Sequence, residues 1–259
     1  MNGIIAELSS LLGLAEGIAW AAALAFIRIG AMVALMPGLG EASVPQRIKL
    51  ALVVAFTLVV APILAERIDL AATPSFHAVG GEAVAGLILG IGMRIFVLAL
   101  QTAAAMIAQA TTLSQLFSGA APEPQPAVGN LLVMAGIALA MAAGLHVRAA
   151  ELLILSYDLL PAGAPIPAAS AADWGLAATG HSFALAFSLA APFVIASLIY
   201  NLALGVINRA MPALMVSMVG APALSLGALA LMAVATPVVL AVWLDALSSH
   251  LAEPFAVAP

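Results

Sequence analysis

The chain has 259 residues, of which 65% are hydrophobic and 7% charged, with a formal net charge of −5 and no cysteine. So little charge cannot cover a globule of this size, so lipid must be much of its solvent, and the sequence reads as an integral membrane protein. Disulfides, thiolate metal sites and cysteine nucleophiles are excluded, and the lack of a basic cluster argues against nucleic acid as a partner.

The N-terminal stretch Met-Asn-Gly-Ile-Ile-Ala-Glu-Leu lacks the positive region of a cleavable signal peptide, so the first apolar run is read as retained. Six apolar regions follow one another, at about Leu11–Met36, Ile48–Leu64, Ala83–Ala110, Leu131–Leu160, Phe183–Val206 and Ala213–Leu247. About 20 apolar residues cross a bilayer core. The first, third and fifth reach that length comfortably, and the second falls short of it. The fourth meets His146, Arg148 and Glu151 partway, and the last is interrupted by Pro222 and Pro237. The expectation is a single all-α polytopic membrane domain over residues 1–259, with about six helices, several of them short, kinked or polar. Two explanations fit those imperfect spans: snorkelling ends with proline kinks, or helices that rest on other subunits instead of lipid.

Strict alternation of spans puts Arg47, Lys49 and Arg209 on one membrane face, and Arg67 and Arg148 on the other. The positive-inside rule then favours a cytoplasmic first loop and an outside N-terminus.

Several polar residues sit where lipid would not tolerate them. Arg28 lies in the first run and Arg94 in the third, and a buried arginine costs about 2.5–3.5 kcal/mol on insertion scales unless it is paired. Arg28 can either find such a partner or snorkel toward an interface. Glu82 is three turns from Arg94, too far for a pair within one helix, so Arg94 is expected to find its partner on another helix or chain. Gln101 and Gln109 share one face of the third helix, as Asn201, Gly205 and Arg209 share one of the fifth. Amides so placed are expected to face protein and to bond across helices. Close helix packing is expected at Gly86-x-x-x-Gly90, along Gly136, Ala140 and Gly144, at Ala223-x-x-x-Gly227, and at Gly205.

The longest mid-chain break runs from Ala110 to Asn130. It carries Pro122, Pro124 and Pro126 and no lysine or arginine. Proline at that density cannot continue a helix, while Leu113, Leu116 and Phe117 are apolar residues that a solvated linker would not need. The break is therefore expected to lie against protein. Met211, Met215 and Met218 form a stripe beside Pro212 that reads as core packing or as a flexible apolar constriction. Motifs of hydrolases, nucleotide-binding loops and zinc sites are absent, and His77, His146, His181 and His250 have no metal-ligand spacing. Neither catalysis nor a cofactor is expected.

Taken in order, a set of anchors resembles the FliR family of flagellar export-gate proteins, which is related to a subunit of virulence type III secretion systems. The anchors are Arg28, Gly30, Pro37, Gly38, Pro45, Arg47 and Lys49, then Glu82, Gly86, Gly90, Gln101, Ile107 and Gln109. They continue with Gly129-Asn130-Leu131-Leu132, Gly144-Leu145-His146, Ser156 and Pro161. The last third adds Ala191-Pro192, Asn201, Leu204-Gly205, Arg209, Pro212 and Gly220-Ala221-Pro222. The departures are Ala104 and Ala110 where glycines are expected, Ala121 in place of an acid, and Ala213 and Met215 in place of a polar pair.

The resemblance implies a non-enzymatic subunit of the flagellar protein export gate in the bacterial inner membrane, at the base of the basal body. It would assemble with FliP-type and FliQ-type membrane subunits, and with a further FlhB-type one, around a closed pore that passes unfolded flagellar proteins. It also implies that the 110–130 break, with Leu113, Leu116, Phe117, Pro122, Pro124 and Pro126, helps plug that pore. A small-molecule secondary transporter is the alternative, and the internal repeat common in such proteins is not found.

Overall fold

The computed structural model describes residues 2–65, 76–111, 127–210 and 216–255, and among them all regular structure is helical. Seven helices follow in order: α1 (Asn2–Leu35), α2 (Gln46–Ala65), α3 (Phe76–Thr111), α4 (Ala127–Ala142), α5 (Leu145–Leu159), α6 (Ala168–Ala210) and α7 (Val216–Ala252). Among the described residues five helices are long and apolar enough to cross a membrane, six if α4 and α5 count as one broken span.

The fourth apolar region departs from the expected single helix. α4 and α5 meet at an angle of 68°. The turn is made at Gly144, whose φ of 84° is left-handed and suits a residue without a Cβ. His146, Arg148 and Glu151, which made this region look polar, lie exposed just beyond the bend on α5. The last region departs in the opposite sense: α7 runs unbroken through Pro222 and Pro237. Proline is likewise accommodated inside α2 at Pro62 and inside α6 at Pro192. One lost backbone hydrogen bond bends a long apolar helix without ending it.

The chain divides into two compact units. The first comprises Met1–Arg94, Met141–Ala178 and Ser249–Pro259, the second Ile95–Ala140 and Thr179–Ser248. In the first unit, α1 buries Ala21, Leu24, Ala25, Ile29, Met32 and Val33, a stripe at helical spacing. α3 packs on it so closely that a Cβ on Gly86 would stand 2.2 Å from the Arg28 carbonyl oxygen, and one on Gly90 would stand 2.9 Å from that of Met32. The spacing of four residues thus brings the α1 and α3 backbones together.

In the second unit the core is built on Trp243 of α7, which is fully buried and donates its indole N–H to the Phe96 carbonyl at 2.8 Å. Gly136 of α4 supplies the room beside it, since a Cβ there would meet Leu100 at 2.6 Å and Trp243 at 3.5 Å. Phe193 of α6 and Leu100 and Ile107 of α3 complete the core. Outward faces are as apolar as the cores: Leu58, Leu198, Leu202 and Val234 are each at least 67% exposed.

Candidate functional site

Among the described residues the densest polar cluster lies in the first unit and begins with Arg28, which shares the apolar stripe of α1. Its Nε donates to Glu82 Oε2 at 2.7 Å and its Nη2 to Glu82 Oε1 at 3.0 Å. This is the two-pronged geometry that a planar guanidinium favours with a carboxylate. Nη1 donates to Ser156 Oγ at 3.0 Å, and Nη2 also donates to the Leu160 carbonyl at 2.9 Å. Arg28 therefore sits at the C-terminal end of α5, where exposed carbonyls favour a cation. Its Cζ lies 3.7 Å from the centre of the Tyr157 ring. Glu82 accepts in addition from the Gly163 backbone N–H at 2.9 Å, and Tyr157 Oη lies 3.4 Å from Oε2.

Both charges are sealed off: Arg28 is 1% exposed and Glu82 0%. Among the described residues no buried side-chain nitrogen or oxygen lacks a hydrogen-bond partner. In a low-dielectric interior a pair holds only when its remaining donors and acceptors are also met, and here they are. Every donor and acceptor named faces another protein group, so the cluster fastens α1, α3 and α5 and presents no reactive atom. Arg28 thus does not snorkel. A shallow apolar depression lined by Val60, Ile63, Leu64 and Ile154 lies beside the Tyr157 ring.

A second polar cluster closes the connection between α1 and α2. Arg94 of α3 pairs with Glu41, both side chains being about 30% exposed. Lys49 donates to the Gly40 carbonyl at 2.8 Å. The partner of Arg94 is thus on a connection of the same chain.

A third lies in the second unit, at the end of α3. Ser197 of α6, 6% exposed, donates to the Ala110 carbonyl at 2.5 Å. Asn201 Nδ2 in turn donates to Ser197 Oγ at 3.2 Å. The last carbonyls of a helix have no amide partner within it, so this pair satisfies α3 one residue before its end at Thr111. Ser182 of α6 donates likewise to the Ile95 carbonyl at 3.2 Å.

The remaining sequence candidates fall in several places. Gln101 and Gln109 share a face of α3, and it is exposed among the described residues. Arg209 is exposed in the last turn of α6. Gly205 has no heavy atom within 4 Å of where a Cβ would stand, and neither has Gly144, which serves the bend instead of a helix contact. Gly227 has none either, and the side chain of Ala223 is outside the described residues. Leu113, Leu116, Phe117, Pro122, Pro124, Pro126, Met211 and Met215 lie outside the described residues, as does the side chain of Met218. Among the described residues no three of His, Asp or Glu gather as a metal site.

Sequence reasoning missed Tyr157, Ser197 and Trp243 as polar partners. A single tyrosine, serine or tryptophan in an apolar helix gives no signal of which carbonyl or carboxylate will stand opposite it. Glu41 was visible as a loop acid and Ser156 as an anchor, each without a partner.

The family model described as bacterial export proteins, family 1, matches residues 19–250. The chain is 34% identical over 235 residues to the flagellar biosynthetic protein FliR of Caulobacter vibrioides, an alignment covering 87% of this chain and 92% of that protein. It is 29% identical over 217 residues to FliR of Escherichia coli, covering 82% and 83% of the two chains. With FliR of Pectobacterium carotovorum the identity is 31% over 205 residues, covering 76% and 77%. With a match that reaches into all seven helices and takes in Arg28, Glu82, Arg94 and Ser197, the chain belongs to the FliR family of bacterial export proteins.

Proposed function

We propose that the protein is a non-enzymatic subunit of the flagellar protein export gate in the bacterial inner membrane. In this reading it assembles with FliP-type and FliQ-type subunits, and with an FlhB-type one, around the pore that passes unfolded flagellar proteins. The observation that supports assembly with other proteins is the length of its apolar helices. α3, α6 and α7 have 36, 43 and 37 residues, or about 54, 65 and 55 Å at 1.5 Å per residue. The bilayer hydrocarbon is about 30 Å thick, and even a tilt of 40° leaves each helix too long for it. Yet Phe187, Leu198 and Leu202 on α6 and Leu226, Leu229, Val234 and Val238 on α7 are all exposed on the single chain. Apolar surface that extends past the lipid needs protein to cover it. The exposed amides Gln101, Gln109 and Asn201 lie on such surface and suit hydrogen bonding to a neighbouring subunit.

In the same reading the 110–130 break is the pore plug, with Leu113, Leu116 and Phe117 as its apolar contacts, and Met211, Met215 and Met218 line an adaptable constriction. Native mass spectrometry of the detergent-extracted protein, expressed with and without its operon neighbours, tests the assembly. A stable hetero-complex is expected; a homo-oligomer that binds a small solute and ignores the neighbours would replace this reading with that of a transporter. Deleting residues 119–126 should leave the complex intact and make cells leaky to small solutes, and unchanged permeability would remove the plug assignment.

A further inference from the structure

We propose that the first part of α6 is a strap latched by Trp174, and that the strap opens as a unit while the core around Trp243 stays closed. The proposal rests on contacts within the chain and not on the export reading.

The two helices that meet at the latch are anchored very differently. α7 buries Val239, Leu240, Trp243, Leu247 and Leu251, a stripe at helical spacing that runs almost to its end at Ala252. Pro254, just beyond, is buried as well. In α6, by contrast, none of residues 168–185 is buried; burial begins at Ala186 and continues through Leu189, Ala190 and Phe193. Opening a segment that buries few side chains exposes little apolar surface, so such a segment opens before the core does. The strap is tied at both ends. Ahead of it, Gly163 donates its backbone N–H to Glu82 at 2.9 Å, and at its far end Ser182 donates to the Ile95 carbonyl at 3.2 Å.

Between those ties sits Trp174. Its indole N–H donates to the Pro254 carbonyl at 3.2 Å, and its ring meets that of Phe255 edge-on, the centroids 6.2 Å apart. The seat is cut by Gly92 of α3, where a Cβ would stand 2.6 Å from His250 Nε2 and 3.4 Å from Trp174 Cζ2. The latch thus needs a missing side chain on α3, an indole on α6 and the turn that follows α7. Its hydrogen bond is part-buried and at the long end of the N–H···O range. Water can therefore replace the Pro254 carbonyl at small net cost, which makes the latch reversible. With Gly163 and Ser182 still held, an opened strap bows outward between two fixed points and does not detach.

The test is amide hydrogen exchange, read by mass spectrometry, on the full-length protein in mild detergent. Residues 168–181 are expected to exchange about tenfold faster than residues 186–200. W174A should quicken exchange over 168–181 by about a further tenfold and leave 186–200 unchanged. F255A, on the other side of the latch, should act on the same residues, as should G92A, whose methyl enters the space of His250 and Trp174. W174F, which keeps a ring and loses the N–H, should fall between W174A and the parent. If W174A does not fold, F255A and G92A carry the same test. Because the contacts act together, the W174A/F255A double variant should exchange no faster than W174A. Equal rates over 168–181 and 186–200 in the parent would overturn the proposal. So would no change over 168–181 in F255A and G92A, additive effects in the double variant, or acceleration that spreads equally to 186–200.

Discussion

The Arg28 guanidinium and the Glu82 carboxylate, 54 residues apart in the chain, close a two-pronged ion pair of 2.7 and 3.0 Å in which neither side chain is more than 1% exposed. Two residues costly in lipid become a fastening between α1 and α3, with α5 added through Ser156 and the Leu160 carbonyl.

Breaking that pair from one side should be far worse than removing it altogether. R28M or E82M leaves a lone buried charge and should cost about 3–5 kcal/mol. The double variant should be less destabilised than the sum of the two. S156A, which removes a single neutral partner, should cost about 1 kcal/mol. Unfolding in a mild-to-denaturing detergent titration measures all four variants. Additive losses in the double variant would mean that the pair does not act as a unit.

Gly86 and Gly205 look alike in sequence as small residues in apolar helices, but their surroundings differ. G86A drives a Cβ into the Arg28 carbonyl and the Ala31 side chain. It should cost about 1–3 kcal/mol by forcing α1 and α3 apart. G205A meets nothing within 4 Å and should leave the isolated chain unchanged or stabilised by up to about 1 kcal/mol. Melting temperatures of the purified chain separate the two cases. If G205A instead impairs recovery of the hetero-complex, the open space at Gly205 belongs to a partner helix.

At the end of α3, S197A should leave the Ala110 carbonyl without its cross-helix donor, at a cost of about 1 kcal/mol. Amide hydrogen exchange over residues 105–111 should accelerate about fivefold as the last turn frays. N201A, which acts through Ser197, should have the smaller effect. Equal exchange in S197A and the parent protein would show that the last turn is held by other contacts.

For Arg94 the location of its partner on the same chain changes what a substitution should do. With both side chains about 30% exposed, R94L and E41Q should each cost about 0–1 kcal/mol and leave assembly with partner subunits intact. Loss of the complex in R94L alone, with E41Q unaffected, would reveal a second contact of Arg94 on another subunit.

Much of the helical order was legible because apolar length is a local property. Uninterrupted runs in the first, second, third and fifth regions became α1, α2, α3 and α6. The errors have local causes too. A lone Gly144 gives no notice that it will turn the chain by 68°, since Gly86, Gly90 and Gly136 sit inside helices. Pro222 and Pro237 read as interruptions, yet α7 continues through both. The site was less legible. Arg28 and Arg94 stood out because charge in an apolar run is conspicuous whatever it pairs with, and Glu82 as an acid at the edge of one. Which acid each cation takes depends on which faces of which helices meet, and an all-round apolar helix carries almost no amphipathic signal to orient it.

By itself, then, the sequence determined the class of molecule. Its 65% hydrophobic and 7% charged content commits the chain to an apolar surrounding, and the order of its anchors commits it to a family. Tertiary structure decided the pairings: Arg28 with Glu82, Arg94 with Glu41, Ser197 with the Ala110 carbonyl, and the indole of Trp243 with the Phe96 carbonyl. The physical reason is one of range. Transfer to an apolar medium is summed over residues one at a time, whereas a hydrogen bond or ion pair is fixed only when two distant segments are brought within about 3 Å.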